Sequence, residues 1–246
     1  MIINGRLLKY LKGEDFSTGL VAEYAKTRYE PLTREALIVK TVEGKKVIHA
    51  GCSDHIPVIR GKIKTDTWLH KLLTEKTLKC IGIDIDFKSI EFLKTELGYT
   101  NVYCADIVKD DISIIKEDTW DYIVFGEMIE HLDNPVSFLN EFRNRYGTNV
   151  TRFIVTVPNI MNINRYRNML KYREVINSDH RFWFTSYTIC RILAAAGYEP
   201  EQIFFAGLCK LSSFKLIFKN IKQFTGIKQG YPYYYFNNII VQGRIS

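Results

Sequence analysis

The sequence predicts an α/β fold, a parallel sheet covered on both faces by helices. Short β-branched runs occur at 46–50, 79–84, 101–106, 121–126 and 151–157. Between them, 67–75, 87–97 and 135–145 place apolar residues at three- and four-residue spacings, the signature of helices with one buried face. Strand, helix, strand in repetition joins parallel strands through crossovers, and the crossover helices then bury both faces of the sheet. The composition permits such a core, since the 246 residues are 46% hydrophobic and 25% charged, far from the corner occupied by disordered chains.

Ahead of this alternation, 17–40 reads as one or two helices interrupted at Pro31, placed to cap a sheet edge or cover a pocket. Beyond it, 186–196 reads as a helix stopped by Gly197, followed by a short strand at 203–206 and a last strand at 237–242. Residues 1–44 are therefore expected to form an N-terminal helical cap and 45–246 the main domain. A substrate-side insertion is expected around 159–180, and 17–40 with 160–172 could act as a lid. No internal repeat or low-complexity linker is visible.

Composition also excludes several classes. No apolar run reaches the roughly 18 to 20 residues of a membrane-spanning helix. The basic stretch 1–12 has no signal-peptide apolar core, which argues against export. The five cysteines (Cys52, Cys80, Cys104, Cys190 and Cys209) are odd in number and contain no C-x-x-C pair. They read as reduced thiols of a soluble cytoplasmic protein, not as a disulfide or zinc framework. The net charge of +7 suits an anionic partner such as a nucleic acid, a phosphate-bearing substrate or a membrane surface, although many globular proteins carry such charge without using it.

In an open parallel sheet, ligands bind beyond the carboxyl ends of the strands. The first strand runs into Gly51-Cys52-Ser53-Asp54-His55, where Gly51 lets the backbone turn sharply and approach a ligand. The second ends at Asp84, whose carboxylate can accept hydrogen bonds from both hydroxyls of a ribose. The third ends at Asp106, suited to the amino group of a base.

This order of features resembles the class I S-adenosylmethionine-dependent methyltransferases over roughly 45–245. The glycine-rich motif matches at Gly51, the ribose-binding acid at Asp84, the adenine-side acid at Asp106 and the fourth-strand motif at 120–131. The resemblance implies a Rossmann-like, doubly wound, mostly parallel seven-stranded sheet and S-adenosylmethionine as cofactor. Gly51, Ser53, Asp84, Asp106 and Glu127 would bind it. The chain departs from the pattern where His49 stands in place of the usual acid, where Ser53 and His55 replace the later glycines, and where 56–66 looks inserted. A nicotinamide-binding domain competes less well, because its pyrophosphate requires further glycines and an acid about 20 residues on, whereas Asp84 lies 33 residues after Gly51.

The fourth strand leads into Glu127-Met128-Ile129-Glu130-His131. A helical turn there would set Glu127, Glu130 and His131 on one face, and the polar stretch 177–185 could add His180. Two carboxylates and two imidazoles can hold a divalent ion with positions left open for substrate oxygens. E-x-x-E-H followed by a distant Asp179-His180 resembles the metal-dependent O-methyltransferase branch, including small-RNA 2′-O-methyltransferases and ubiquinone-pathway enzymes. By that match Glu127, Glu130, His131 and His180 would ligate Mg, Mn or Zn, and His131, His180 and Glu130 would carry the chemistry. The same triplet also occurs in related methyltransferases with no established metal, where Glu127 lines the cofactor pocket and His131 is structural or a general base; without a metal, His131 or His180 is the best candidate base here. Both readings stand on the sequence.

The expected activity is methyl transfer to a hydroxyl of a small molecule or saccharide. RNA ribose 2′-O-methylation is the second reading, and an inactive cofactor-binding protein of the same fold the third. Two further stretches carry weaker signals. The basic amphipathic segment 210–228 either lies on an anionic membrane as a peripheral contact or, more commonly, covers a sheet face. The tyrosines at 233–235 pack at a strand edge or stack on a sugar or base.

Overall fold

A computed structural model describes residues 2–22, 31–209 and 231–245. Its centre is one seven-stranded sheet in the order β3-β2-β1-β4-β5-β7-β6. The strands are β1 (Lys46–Ala50), β2 (Lys79–Asp84), β3 (Val102–Cys104), β4 (Trp120–Gly126), β5 (Val150–Pro158), β6 (Tyr198–Leu208) and β7 (Phe236–Ile245). The first five run parallel, while β7 lies antiparallel to both β5 and β6. Strand order reverses between β1 and β4, so the ligand crevice of a doubly wound sheet falls at their carboxyl ends. The amino end of β7 lies at that same edge, with Asn238 paired to Pro158.

The side-chain alternation of β1 divides the core. Ile48 and Ala50 face one layer with Leu139, Phe142, Ile189 and Leu193 from α7 (Pro135–Tyr146) and α9 (Ser186–Ala195). Val47 faces the other, with Ile38 and Val42 of α2 (Arg34–Val42) and Leu69 and Leu73 of α4 (Leu69–Lys76). A third cluster gathers Ile59 of α3 (Ile56–Lys64) with Ile90, Phe92 and Leu93 of α5 (Phe87–Thr95). The remaining helices are α1 (Gly5–Lys12), α6 (Ser113–Lys116) and α8 (Ile163–Met169).

Several expected elements shift. Within 17–40, residues 17–22 are not helical, 23–30 lie outside the described residues, and α2 begins at Arg34, where the Thr33 hydroxyl accepts from the Ala36 amide at 3.1 Å. Within 56–66, which looked like an insertion, Ile56–Lys64 form α3, started by Pro57 in its first turn. The strand expected at 203–206 extends over all of β6, with a register shift between Pro200 and Gln202. The basic segment 210–228 lies outside the described residues. Among those described, no helix is long and apolar enough to cross a membrane.

Gly82 of β2 positions the interior beneath the site. A Cβ there would lie 2.6 Å from His70 Cε1 and 2.7 Å from Cys52 Sγ, so the missing side chain makes room for an imidazole against the sheet. Gly82→Ala is expected to lower stability by about 1–3 kcal/mol through overpacking, measured as the denaturation midpoint. An unchanged midpoint would show that His70 and Cys52 repack freely.

Candidate active site

Four strand ends supply the site. After β1 the chain bends at Gly51, whose φ is +67°. A Cβ on it would meet Met128 Sδ at 3.3 Å, so glycine satisfies both the left-handed backbone and the close approach. The turn brings the Ser53 amide to the end of β2, where it donates to Asp84 Oδ2 at 3.0 Å, while the Asp86 amide donates to Oδ1, also at 3.0 Å. Each carboxylate oxygen keeps capacity for a further donor. Gly51, Ser53 and Asp84 thus lie together, and a bare backbone bend beside a half-buried carboxylate fits an adenosyl ribose.

Asp106 is more occupied. Its Oδ1 accepts from the Val108 and Lys109 amides at 3.1 and 3.3 Å, and its Oδ2 pairs with Lys109 Nζ at 2.9 Å. Burial works against its charge, but these donors prevail and hold the carboxyl below its ordinary value.

The structure revises the turn after β4. Glu127 does not begin a helix; it has a φ of +53°, and the turn that follows is a 3-10 turn over Ile129–His131. The Glu127 amide donates to both the Thr156 carbonyl (3.1 Å) and hydroxyl (3.0 Å) of adjacent β5, which fixes this uncommon conformation. Its carboxylate points to Arg34 Nη1 at 2.8 Å and accepts from the Asn238 amide. Burial opposes the Arg34 charge, but Glu127 and Glu35 outweigh it and keep the guanidinium protonated.

Glu130 follows a different course. It is fully buried, and neither carboxylate oxygen has a hydrogen-bond partner among the described residues. Burial pushes its carboxyl up to about 8. His131 and His180 meet it with ring centroids 4.7 Å apart, and one ligating atom from each of Glu130, His131 and His180 lies within 4.8 Å of the others. His131 Nδ1 is 3.2 Å from the Asp179 carbonyl, a contact that orients the ring and leaves Nε2 for another partner. Burial, then the neighbouring His131, lowers the His180 value. The loop carrying His180 is tied down by the Arg181 amide donating to the Glu130 carbonyl at 2.8 Å. Of the four residues expected to gather here, three do, while Glu127 binds Arg34 and Asn238 instead.

The model of a methyltransferase domain family matches residues 21–203, most of the chain. The chain belongs to that family. This S-adenosylmethionine-dependent methyltransferase shares its fold with solved relatives of low identity. A SAM-dependent methyltransferase from Archaeoglobus fulgidus is 19% identical, with a TM-score of 0.51, over 85% of this chain and 94% of that one. The small RNA methyltransferase HEN1 is 18% identical, with a TM-score of 0.52, over 92% of this chain but 27% of that one. The methyltransferase domain of bacterial CtHen1-CN gives 18% identity and a TM-score of 0.50 over 85% of this chain and 94% of its own. No curated protein matches the sequence.

Around these site residues lie others that sequence reasoning missed. Arg34 and Asn238 reach Glu127 from 93 and 111 positions away, and nothing local to either marks the contact. Trp183 lies within the polar stretch already singled out. Its indole donates to Glu174 at 2.7 Å, and Arg165 stacks 3.8 Å above its ring.

Proposed function

We propose that this methyltransferase acts on a hydroxyl of a small molecule or saccharide, with a divalent cation held by Glu130, His131 and His180. The observation supporting this is the buried, unpartnered Glu130 carboxylate facing two imidazoles. A buried carboxylate without a donor is costly, and a cation supplies the missing charge. One carboxylate with two imidazoles suits Mn or Zn better than Mg.

On the cofactor side, Gly51 and Ser53 shape the loop under the methionine moiety, Asp84 accepts the ribose hydroxyls, and Asp106 orders the turn bordering the adenine. Glu127, held by Arg34 and Asn238, is the further residue assigned to the cofactor. S-adenosylmethionine brings an already activated methyl sulfonium, so the protein has chiefly to align donor and acceptor and exclude water. A bound cation would supply the Lewis acidity that lowers the acceptor hydroxyl's pKa. Burial keeps His180 neutral, the form able either to ligate or to take the acceptor's proton. RNA ribose methylation is the second reading, favoured by the +7 charge.

Titration with Mn²⁺ is expected to raise the thermal midpoint of the wild type, and Glu130→Gln to weaken that binding roughly tenfold or more. Activity should fall on chelation and return with the ion. Activity and midpoint indifferent to both chelator and Glu130→Gln would exclude the cation.

A further inference from the structure

The segment 161–176 follows β5 beside the site; Asn162 is buried and 163–165 and 168 are half-buried, while 166–167 and 169–176 are exposed. Its helix α8 contains no buried residue. Tyr166, Met169, Leu170, Tyr172, Val175 and Ile176 all present large apolar surfaces to solvent, and Tyr172 is fully exposed. Such a concentration is unusual on a monomeric protein surface and marks a contact surface. The segment nevertheless has an ordered backbone. The Asn168 carbonyl accepts from the Lys171 and Arg173 amides at 2.9 and 3.0 Å, closing a tip in which Tyr172 has a φ of +55°. Arg165 clamps the base, donating to the Val175 carbonyl at 3.0 Å while stacking on Trp183. Trp183 in turn lies 6.0 Å from the His180 ring, so the tip is joined to the reaction side of the site.

Charge selects the partner. Arg167, Lys171 and Arg173 are exposed between the apolar residues, whereas the one acid of the tip, Glu174, is held by Trp183. Cations interleaved with Met, Leu, Val and Ile match an anionic bilayer, whose headgroups meet the basic groups while the aliphatic side chains enter the acyl boundary. A single-stranded nucleic acid would instead favour stacking aromatics, and four of the six exposed apolar residues are aliphatic.

We propose that this tip docks the methyltransferase on anionic membranes, presenting its site to an acceptor hydroxyl carried on an amphiphilic, lipid-borne molecule. The acceptor clause rests on the hydroxyl-methylating reading above; the docking does not.

The full-length chain is to be floated with vesicles of phosphatidylglycerol and phosphatidylcholine in equal parts, and with phosphatidylcholine alone. The wild type is expected to bind the anionic vesicles and to dissociate in high salt. A Leu170→Asp, Val175→Asp double variant should bind at least roughly tenfold less with an unchanged thermal midpoint, because neither residue packs in the core. Residues 210–228 are common to both proteins, so a difference reports on the tip. Equal flotation of the two proteins, no binding by the wild type, or tip-dependent retention of single-stranded RNA without vesicle binding would each overturn the proposal. Binding of S-adenosylmethionine, measured separately, tells a failure of docking from a failure of the enzymatic reading.

Discussion

Replacing Asp84 by asparagine is expected to weaken binding of S-adenosylmethionine and of its demethylated product on the order of 100-fold. A ribose offers two hydroxyl donors, and hydrogen bonds to a charged acceptor each contribute roughly 1.5–3 kcal/mol. Asparagine has one accepting oxygen and turns an N–H₂ group toward groups that also donate. A loss of about 3 kcal/mol corresponds to roughly 100-fold in Kd. Part of the effect arises within the protein, because the Ser53 and Asp86 amides donate to different oxygens of Asp84 and asparagine can accept from only one of them. The thermal midpoint of the variant without ligand separates the two contributions. Asp106→Asn makes the comparison, since that carboxylate is already engaged by Val108 and Lys109; it should cost less affinity than Asp84→Asn. Calorimetry showing Asp84→Asn within threefold of wild type would remove the ribose contact, and with it the placement of the cofactor across the ends of β1 and β2.

The elements most legible in the sequence are those whose signal is local. The two strands at 46–50 and 79–84 appear with the expected bounds, because an apolar β-branched run between polar or glycine residues has one low-energy fate inside an α/β core. Helix starts set by capping are legible only when the cap is noticed. Asn4 accepts from Leu7 to open α1, and Thr33 opens α2, but the hydrophobic pattern of 17–40 suggested a longer helical stretch than its described part forms.

Contacts made through topology leave no such trace. Asn238 reaches Glu127 because β7 runs antiparallel beside β5, which places its first residues among the carboxyl ends of the others. The left-handed backbone of Glu127 is equally silent, since glutamate has no preference for it; two hydrogen bonds from its amide to Thr156 impose it. Helical spacing placed Glu127, Glu130 and His131 on one face, yet the 3-10 turn begins only after Glu127. The surviving set, Glu130, His131 and His180, combines two residues close in sequence with one brought back by the loop that Arg181 ties to Glu130.

Acidification is expected to destabilise the protein by about 3 kcal/mol through His70 alone. His70 and His49 are buried side by side, with their Nδ1 atoms 3.4 Å apart. At most one of these atoms can donate while the other accepts, so a second proton replaces a hydrogen bond with repulsion. Among the described residues no anion compensates it: burial pushes the facing Cys80 thiol up to about 12 and raises Cys52 and Tyr99 as well. Burial accordingly lowers His70 to about 4 and, with His70 and Arg34 adding to it, holds His49 well below its ordinary value. The unfolded chain binds the His70 proton near pH 6.5, so between 6.5 and about 4 the unfolded state carries more protons. The full stability is therefore present above pH 6.5 and is lost as pH falls to about 4, a span of roughly 2.5 units at about 1.4 kcal/mol each. Glu130 acts oppositely. With its carboxyl raised, it favours the folded state as pH falls from about 8, so the slope of the wild type alone mixes the two. The difference between wild type and His70→Leu removes the Glu130 contribution, which is common to both, and reads His70 together with the relief of its neighbour His49. Urea unfolding at a series of pH values should show that difference shifting in the variant's favour by about 3 kcal/mol from pH 7 to pH 4. A difference that stays constant over that range would mean that His70 takes up its proton in the folded protein as readily as in the unfolded chain. The space left by Gly82 would then have to admit water or another compensating group to the imidazole.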